Sequence, residues 1–430
     1  MVRRVLFPLA VFLAVLATVK IGFARVPSDG LLREDGLFPL WARWERGGAA
    51  AWFAPALALG AAVAVLWWRG AIDRLPAPAF LGGSIGLCAA LFVSLALTNG
   101  GFPAGLTWPL TRDEDYAQDV ARFRTLGEIG STFTAKQAEL SLHGKTHPPG
   151  PIVLAFVLDR IARGNLVVVA LLMVVLGALT ILPLHAFARD ALGERAARRA
   201  VLLWATAPSI LLYGATCMDM VFSLPVAVAL WQAERAVASR RAAPAILSGL
   251  ALGIGLLMTF AAGIAAAAIA LVAARRRAYR TMAIVAAASL AVLLTARAAW
   301  GLDFWAAFRQ AARLDAAEWP AWTSPRYYLW TRLMDVFDAM IMFGAALTAT
   351  WASSLRASAW GRAAAIASLL AFAAGAFKIG ETGRILMFLL PAVVVPVAKL
   401  LEDDDRAVAL VALAGFAQAL VFEAVLDTRW

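Results

Sequence analysis

Apolar residues in this chain neither alternate with polar ones nor recur as a single helical stripe. They gather into blocks of roughly 15–22 residues from one end of the chain to the other, about the length needed to cross a bilayer as a helix. Backbone groups in lipid must find partners within their own segment, so such blocks are expected to be helices rather than open strands. The blocks fall at about 5–23, 51–68, 79–98, 165–187, 200–217, 220–233, 244–259, 261–274, 282–300, 332–350, 363–379, 385–400 and 407–426. They predict an all-α, polytopic transmembrane bundle of about thirteen spans. The opening "MVRRVLFPLAVFLAVLATV" is expected to be a retained first helix, since no convincing small-residue cleavage site follows it.

The polar residues between the blocks set an expected orientation. Basic residues crowd every second connection: Arg3 and Arg4; Arg69 and Arg74; Arg189, Arg195, Arg198 and Arg199; Arg235, Arg240 and Arg241. "RRRAYR" at 275–280, then Arg356 with Arg362, and Arg406 continue the series. By the positive-inside rule these connections face the cytoplasm. The fit requires "PIVLAFVLDRIAR", 151–163, to be a short interfacial or re-entrant helix rather than a span. The N-terminus then lies inside and the C-terminus outside, leaving three long outer segments at roughly 24–50, 99–164 and 301–331. The expected organisation is one integral membrane unit, 1–430. Three N-terminal spans occupy 1–98, a catalytic outer loop with its interfacial helix occupies 99–164, and the remaining spans fill 165–430.

Composition agrees: the 430 residues are 62% hydrophobic and 16% charged, with a net charge of +11. The positive charge sits in short clusters between blocks and no groove-reading module is recognisable, so nucleic acid is not an expected partner. Cys88 and Cys217 both lie in apolar runs and imply no disulfide framework.

Chemistry-bearing residues converge on the expected outer side. "TRDEDYAQDVARF" sets Asp113, Glu114 and Asp115 in succession, suited to general-base work or metal chelation, or alternatively to an acidic helix start. "LSLHGKTHPPGP" follows, with His143, Lys145 and His147. His143 and His147 are four apart, but Pro148 biases His147 toward an extended conformation and no glutamate completes a zinc-protease pattern. These side chains are better read as donors toward an anionic phosphate group, or as histidines packed under the loop. "TCMDM" places Asp219 at the outer end of a span, where it could also cap the next helix. "FKIGETGRILMF" places Lys378, Glu381 and Arg384 at an outer turn, as phosphate and sugar ligands or as a plain ion pair.

Together, "RDED" at 112–115, "KTHPPGP" at 145–151, "MD" at 218–219 and "GETGRILMFLLP" at 380–391 resemble the GT-C superfamily of polytopic membrane glycosyltransferases. That superfamily includes protein O-mannosyltransferases and the aminoarabinose transferase of lipid A. In familiar members the acidic loop follows the first span, whereas here it follows the third. The resemblance implies transfer of a sugar from a polyprenyl-phosphate donor to a lipid, glycan or protein acceptor at the extracytoplasmic face of a bacterial inner membrane. It implies Asp113 or Asp115 as the base that deprotonates the acceptor, with spacing unable to separate them and Asp113 taken first. It implies Lys145, His147, Lys378 and Arg384 around the lipid phosphate, with His143, Asp219 and Glu381 also in contact with substrate. No cofactor is required, and a divalent metal, held by Asp113 and Asp115 if at all, is optional. A transporter or flippase of lipid-linked sugars would instead want charges at mid-membrane in paired halves. An O-antigen-ligase-like enzyme would want an arginine-rich outer loop, such as "DFWAAFRQAARLDAAEW".

Overall fold

The computed structural model describes residues 3–24, 40, 42–44, 53–68, 70–215, 217–318, 325–375 and 382–427. Nearly all of these are helical. The first three long helices are α1 (Arg3–Ala24), α2 (Phe53–Trp68) and α3 (Ala77–Ala96). A stretch of short elements follows: α4 (Ala104–Thr107), α5 (Tyr116–Asp119), α6 (Leu126–Lys136), α7 (Leu142–Thr146) and α8 (Gly150–Ala162). The chain then re-enters the bundle through α9 (Leu166–Ala178), α10 (Ile181–Leu192), α11 (Glu194–Ala205), α12 (Pro208–Tyr213) and α13 (Met218–Ser239). Next come α14 (Ala242–Met258), α15 (Ala262–Arg275), α16 (Tyr279–Trp300) and the amphipathic α17 (Phe304–Glu318). The last group is α18 (Pro325–Met342), α19 (Ala345–Ser354), α20 (Ala359–Ala373), α21 (Thr382–Ile385), α22 (Leu390–Leu400) and α23 (Asp405–Val425). One two-residue antiparallel ladder, β1 (Arg43–Trp44) with β2 (Leu426–Asp427), is the strand pairing among the described residues.

Each expected apolar block contains helix, but four are divided, 385–400 among the end of α21, a 3-10 turn at Leu386–Leu389 and α22. Residues 165–187 become α9 and α10. The 200–217 block divides at Ala207, with Pro208 starting α12 where its missing N–H costs nothing. The 332–350 block breaks at Gly344, whose φ of 107° reverses the chain, so α18 and α19 meet at 101°. Among the described residues five helical stretches are long and apolar enough to cross a membrane, and the bent pair would make a sixth. The molecule is an integral membrane protein. By contrast α8, at 13 residues or about 20 Å, is too short to cross.

Two ends of the bundle differ sharply. At one end arginines pair with carboxylates: Arg199, fully buried, with Asp405 and Asp73; Arg198 with Glu194 at 2.9 Å; Arg276 with Glu234 at 3.0 Å. At the other end α4 to α8 lie across the starts of α13 and α21. The segment Thr382–Leu400 runs through the centre, 83% of its apolar window being buried, whereas only 22% of the α16 window is. Small residues let helices close up. A Cβ on Gly249 of α14 would stand 2.5 Å from Val285 O of α16, and Ser289 Oγ donates to Gly249 O at 2.9 Å.

Gly249→Val is therefore expected to wedge α14 off α16 and cost about 1–3 kcal/mol. Thermal unfolding in detergent would register this as a lowered midpoint; an unchanged midpoint would show the helices are not packed this closely.

Candidate functional site

The loop after α3 turns back on itself through residues whose side chains satisfy its own backbone. Asp115 caps α5, its carboxylate accepting from Ala117 N at 2.8 Å. Gln118 Nε2 donates to Leu110 O at 2.7 Å, holding the preceding turn. The Arg112 guanidinium lies 4.6 Å from the Trp108 ring and its Nε sits 3.3 Å from Glu114 Oε2. Tyr116, buried, points inward, its ring 5.5 Å from those of both His143 and His147. His143 N donates to Glu114 O at 3.2 Å, joining α7 to the acidic turn.

His147 is extended, φ −117° and ψ 166°, as the following proline requires, and its Nδ1 lies 3.1 Å from His143 O. Its ring therefore serves the loop as well as whatever binds there. Gln137 Nε2 donates to both Lys145 O and Ala307 O, at 3.0 and 3.1 Å, so α17 supports α7 from behind.

The opposite wall comes from two distant segments. Cys217, not Asp219, occupies the cap position of α13; Asp219 stands in its first turn and accepts from Cys217 Sγ at 3.3 Å. Arg384 Nε approaches Asp219 Oδ2 at 3.5 Å, and both side chains are almost wholly buried. Arg384 is aimed by its neighbours. Asp338 Oδ2 accepts from Gly383 N at 2.7 Å and Thr382 Oγ1 at 3.1 Å, and Thr382 Oγ1 also donates to Asp335 O at 2.6 Å. Asp335 is in turn paired with Arg332 at 2.9 Å.

These walls border an open cleft of about 390 Å³, its solvent-facing space included. Arg112, Glu114, Asp115 and Tyr116 line one side, His143 another, and Cys217, Asp219 and Arg384 the third. Of the residues expected from sequence, Glu114, Asp115, His143, Asp219 and Arg384 thus share one cavity although up to 270 positions separate them. Asp113 is exposed on the turn before it, and Lys145 and His147 are half-buried beside it. Lys378 and Glu381 lie outside the described residues. Arg112, Tyr116 and Cys217 were not singled out by sequence, nor were Asp335 and Asp338. The last two had a signal: two carboxylates three apart within an apolar block, where an ionised group is expensive.

Burial pushes the Asp115 carboxyl up to about 7, against the Ala117 N–H and the Arg384 charge, which lower it; Asp119 and Asp219 add to the rise. Burial likewise holds the Tyr116 phenol well above its usual range. The cleft thus combines a carboxyl titrating near neutrality with a buried guanidinium. Among the described residues no three His, Cys, Asp or Glu side chains are grouped to hold a metal ion, and Asp113 and Asp115 do not both face the cleft.

Residues 146–300, beginning within the "KTHPPGP" element and ending with α16, match the family model of dolichyl-phosphate-mannose-protein mannosyltransferases. The chain is similar to that family over this stretch, about a third of its length. The chain also superposes on the Archaeoglobus fulgidus oligosaccharyltransferase, crystallised with Zn and sulfate, with a TM-score of 0.48 at 16% identity. That superposition covers 79% of this chain and 53% of the other, so the chain spans about half the length of the archaeal protein. No curated protein matches its sequence.

Arg384→Ala would leave Asp219 buried without its nearest cation, a change that typically costs about 3–5 kcal/mol. The protein carrying Asp219→Asn with Arg384→Gln should recover part of that loss in thermal unfolding. Equal losses in the single and double variants would show that the two charges do not depend on each other.

Proposed function

We propose that the cleft transfers a sugar from a polyprenyl-phosphate donor to an acceptor hydroxyl, with Asp115 as general base, at the extracytoplasmic face of the membrane. The observation that carries it is the placing of Asp115, titrating near 7, and Arg384 in one cavity. The family that residues 146–300 match is named for a dolichyl-phosphate-linked mannose donor and a protein acceptor, which supports a lipid monophosphate as the leaving group. The arginine pairs gathered at the opposite end of the bundle support the sidedness, since positive connections stay cytoplasmic.

In this account the acceptor oxygen attacks the anomeric carbon as its proton passes to Asp115. The bond from that carbon to the phosphate oxygen breaks, and the lipid phosphate leaves with the electron pair. Charge grows on the phosphate, where a fixed cation in a dry cavity stabilises it best. Arg384 is that cation, held in place by Asp219 and by the Asp338-fastened turn. Arg112 and His143 provide further donors at the same cavity, and Lys145 and His147 lie next to it. Lys378 and Glu381, close in sequence to Arg384, are assigned to phosphate and sugar by the resemblance alone. Asp113 is exposed, so Asp115 takes the role of base.

The sign of the pH dependence follows. A base must be unprotonated, so turnover should rise with pH through about 7 and level off above it. For stability the direction is opposite. The folded carboxyl holds its proton to higher pH than the free group at 3.8, so this residue's contribution to stability declines as pH rises from there through about 7.

The test is transfer from radiolabelled polyprenyl-phosphate sugars to a membrane extract by protein in nanodiscs. Asp115→Asn should lower kcat by about 10²–10⁴-fold with donor still bound, while Asp113→Asn changes it little. Full activity in Asp115→Asn would remove the proposed base. Binding of donor without turnover in the unaltered protein would instead indicate a carrier.

A further inference from the structure

Asp119 is a buried carboxylate, 1% exposed, that is not among the residues lining the cleft and bonds Ser141 across a 22-residue gap in sequence. It ends α5, the single helical turn that Asp115 starts. Its Oδ1 accepts from Ser141 N at 2.9 Å and lies 3.4 Å from Arg122 Nε. Its Oδ2 accepts from Ser141 Oγ at 2.6 Å. Ser141 Oγ in turn accepts from Gly144 N at 3.0 Å and so caps α7, the turn that carries His143 and Lys145. Gly144 has no room for anything larger than hydrogen: a Cβ there would stand 2.2 Å from Asp119 Oδ2.

We propose that Asp119 is a positioning residue for the transfer reaction: through Ser141 it sets α7, with His143, at a fixed distance and angle from the Asp115–Tyr116 wall of the cleft. This rests on the function proposed above. The segments α5 and α7 are one turn each and too short to hold a direction alone. The His143 N to Glu114 O hydrogen bond and the Tyr116 ring against His143 and His147 run parallel to the Asp119 tie. Arg122, half-exposed, partly neutralises Asp119 without reaching the cleft. The carboxylate thus satisfies the loop internally, and its value to the reaction is geometric.

The experiment compares Asp119→Ala, Asp119→Asn and Gly144→Ala in nanodiscs, alongside the unaltered protein and Asp115→Asn. Asparagine can still accept from Ser141 N and donate to Ser141 Oγ, so Asp119→Asn should keep kcat/KM for the donor within about threefold. Asp119→Ala and Gly144→Ala should each lose about tenfold or more, because a misplacement near 1 Å is enough for such losses. A residue that merely held the protein together would lower the active fraction and leave the KM of surviving enzyme unchanged; here KM for the donor should rise. Hydrogen–deuterium exchange gives a second readout that needs no substrate. Amides in 141–146 should exchange at least tenfold faster in Asp119→Ala, with α13 and α14 unaffected.

Unchanged kcat and KM in folded Asp119→Ala, or unchanged exchange in 141–146, would overturn the inference. So would an Asp119→Asn variant as impaired as Asp119→Ala, since the tie would then be charge and not hydrogen-bonded geometry. If the unaltered protein transfers no sugar while exchange still responds as expected, the tie stands as a structural fact, its role in positioning for transfer falls, and the proposed function fails on its own evidence.

Discussion

The site depends on one buried ion pair between two segments distant in sequence. Asp219 stands in the first turn of α13 and Arg384 in α21, 165 positions later in the chain. Neither charge could be withdrawn from water alone, because desolvating a single ion costs several kcal/mol that only an opposite charge and further hydrogen bonds offset. The pairing therefore constrains the central segment Thr382–Leu400 to sit with its first turn against the start of α13. Asp338 and Thr382 fasten that turn from the other side. Once the pair is in place, the loop after α3 has a charged floor to fold over, and the cleft is the space left between them.

That arrangement explains why a carboxyl and a guanidinium can share a small cavity without collapsing into each other. Arg384 is already engaged by Asp219, while Asp115 spends one oxygen on Ala117 N and keeps company with Tyr116 and His143. Burial then raises Asp115 toward neutrality in spite of the guanidinium, which a fully solvated acidic turn would not do. The neighbouring Asp113 is exposed to solvent and does not line the cleft.

Much of this was legible from the chain. The apolar blocks marked the helices because lipid allows no other spanning structure for such runs, and the short "PIVLAFVLDRIAR" helix was visible as too brief to cross. The residues of "RDED", "HGKTH", "MD" and "TGR" were visible as expensive charges at block edges. Three things were not. The choice between Asp113 and Asp115 depends on which side of a turn faces inward, and adjacent acidic residues look alike in one dimension. The breaks at Ala207 and Gly344 depend on tertiary packing that lets a helix stop inside an apolar run. Asp119 acts by holding Ser141, and a side chain whose partner lies 22 positions away leaves no local pattern.

The central claim is that a lipid phosphate and its sugar occupy the cleft between Asp115 and Arg384. Its most direct test is a structure of the protein in nanodiscs with a non-cleavable polyprenyl-phosphonate sugar. The account predicts phosphonate density against Arg384 and His143, with the anomeric carbon turned toward Asp115 and the prenyl chain leaving toward the bilayer. Density for the analogue among the arginine pairs at the opposite end, or at mid-membrane between helices with the cleft empty, would contradict it.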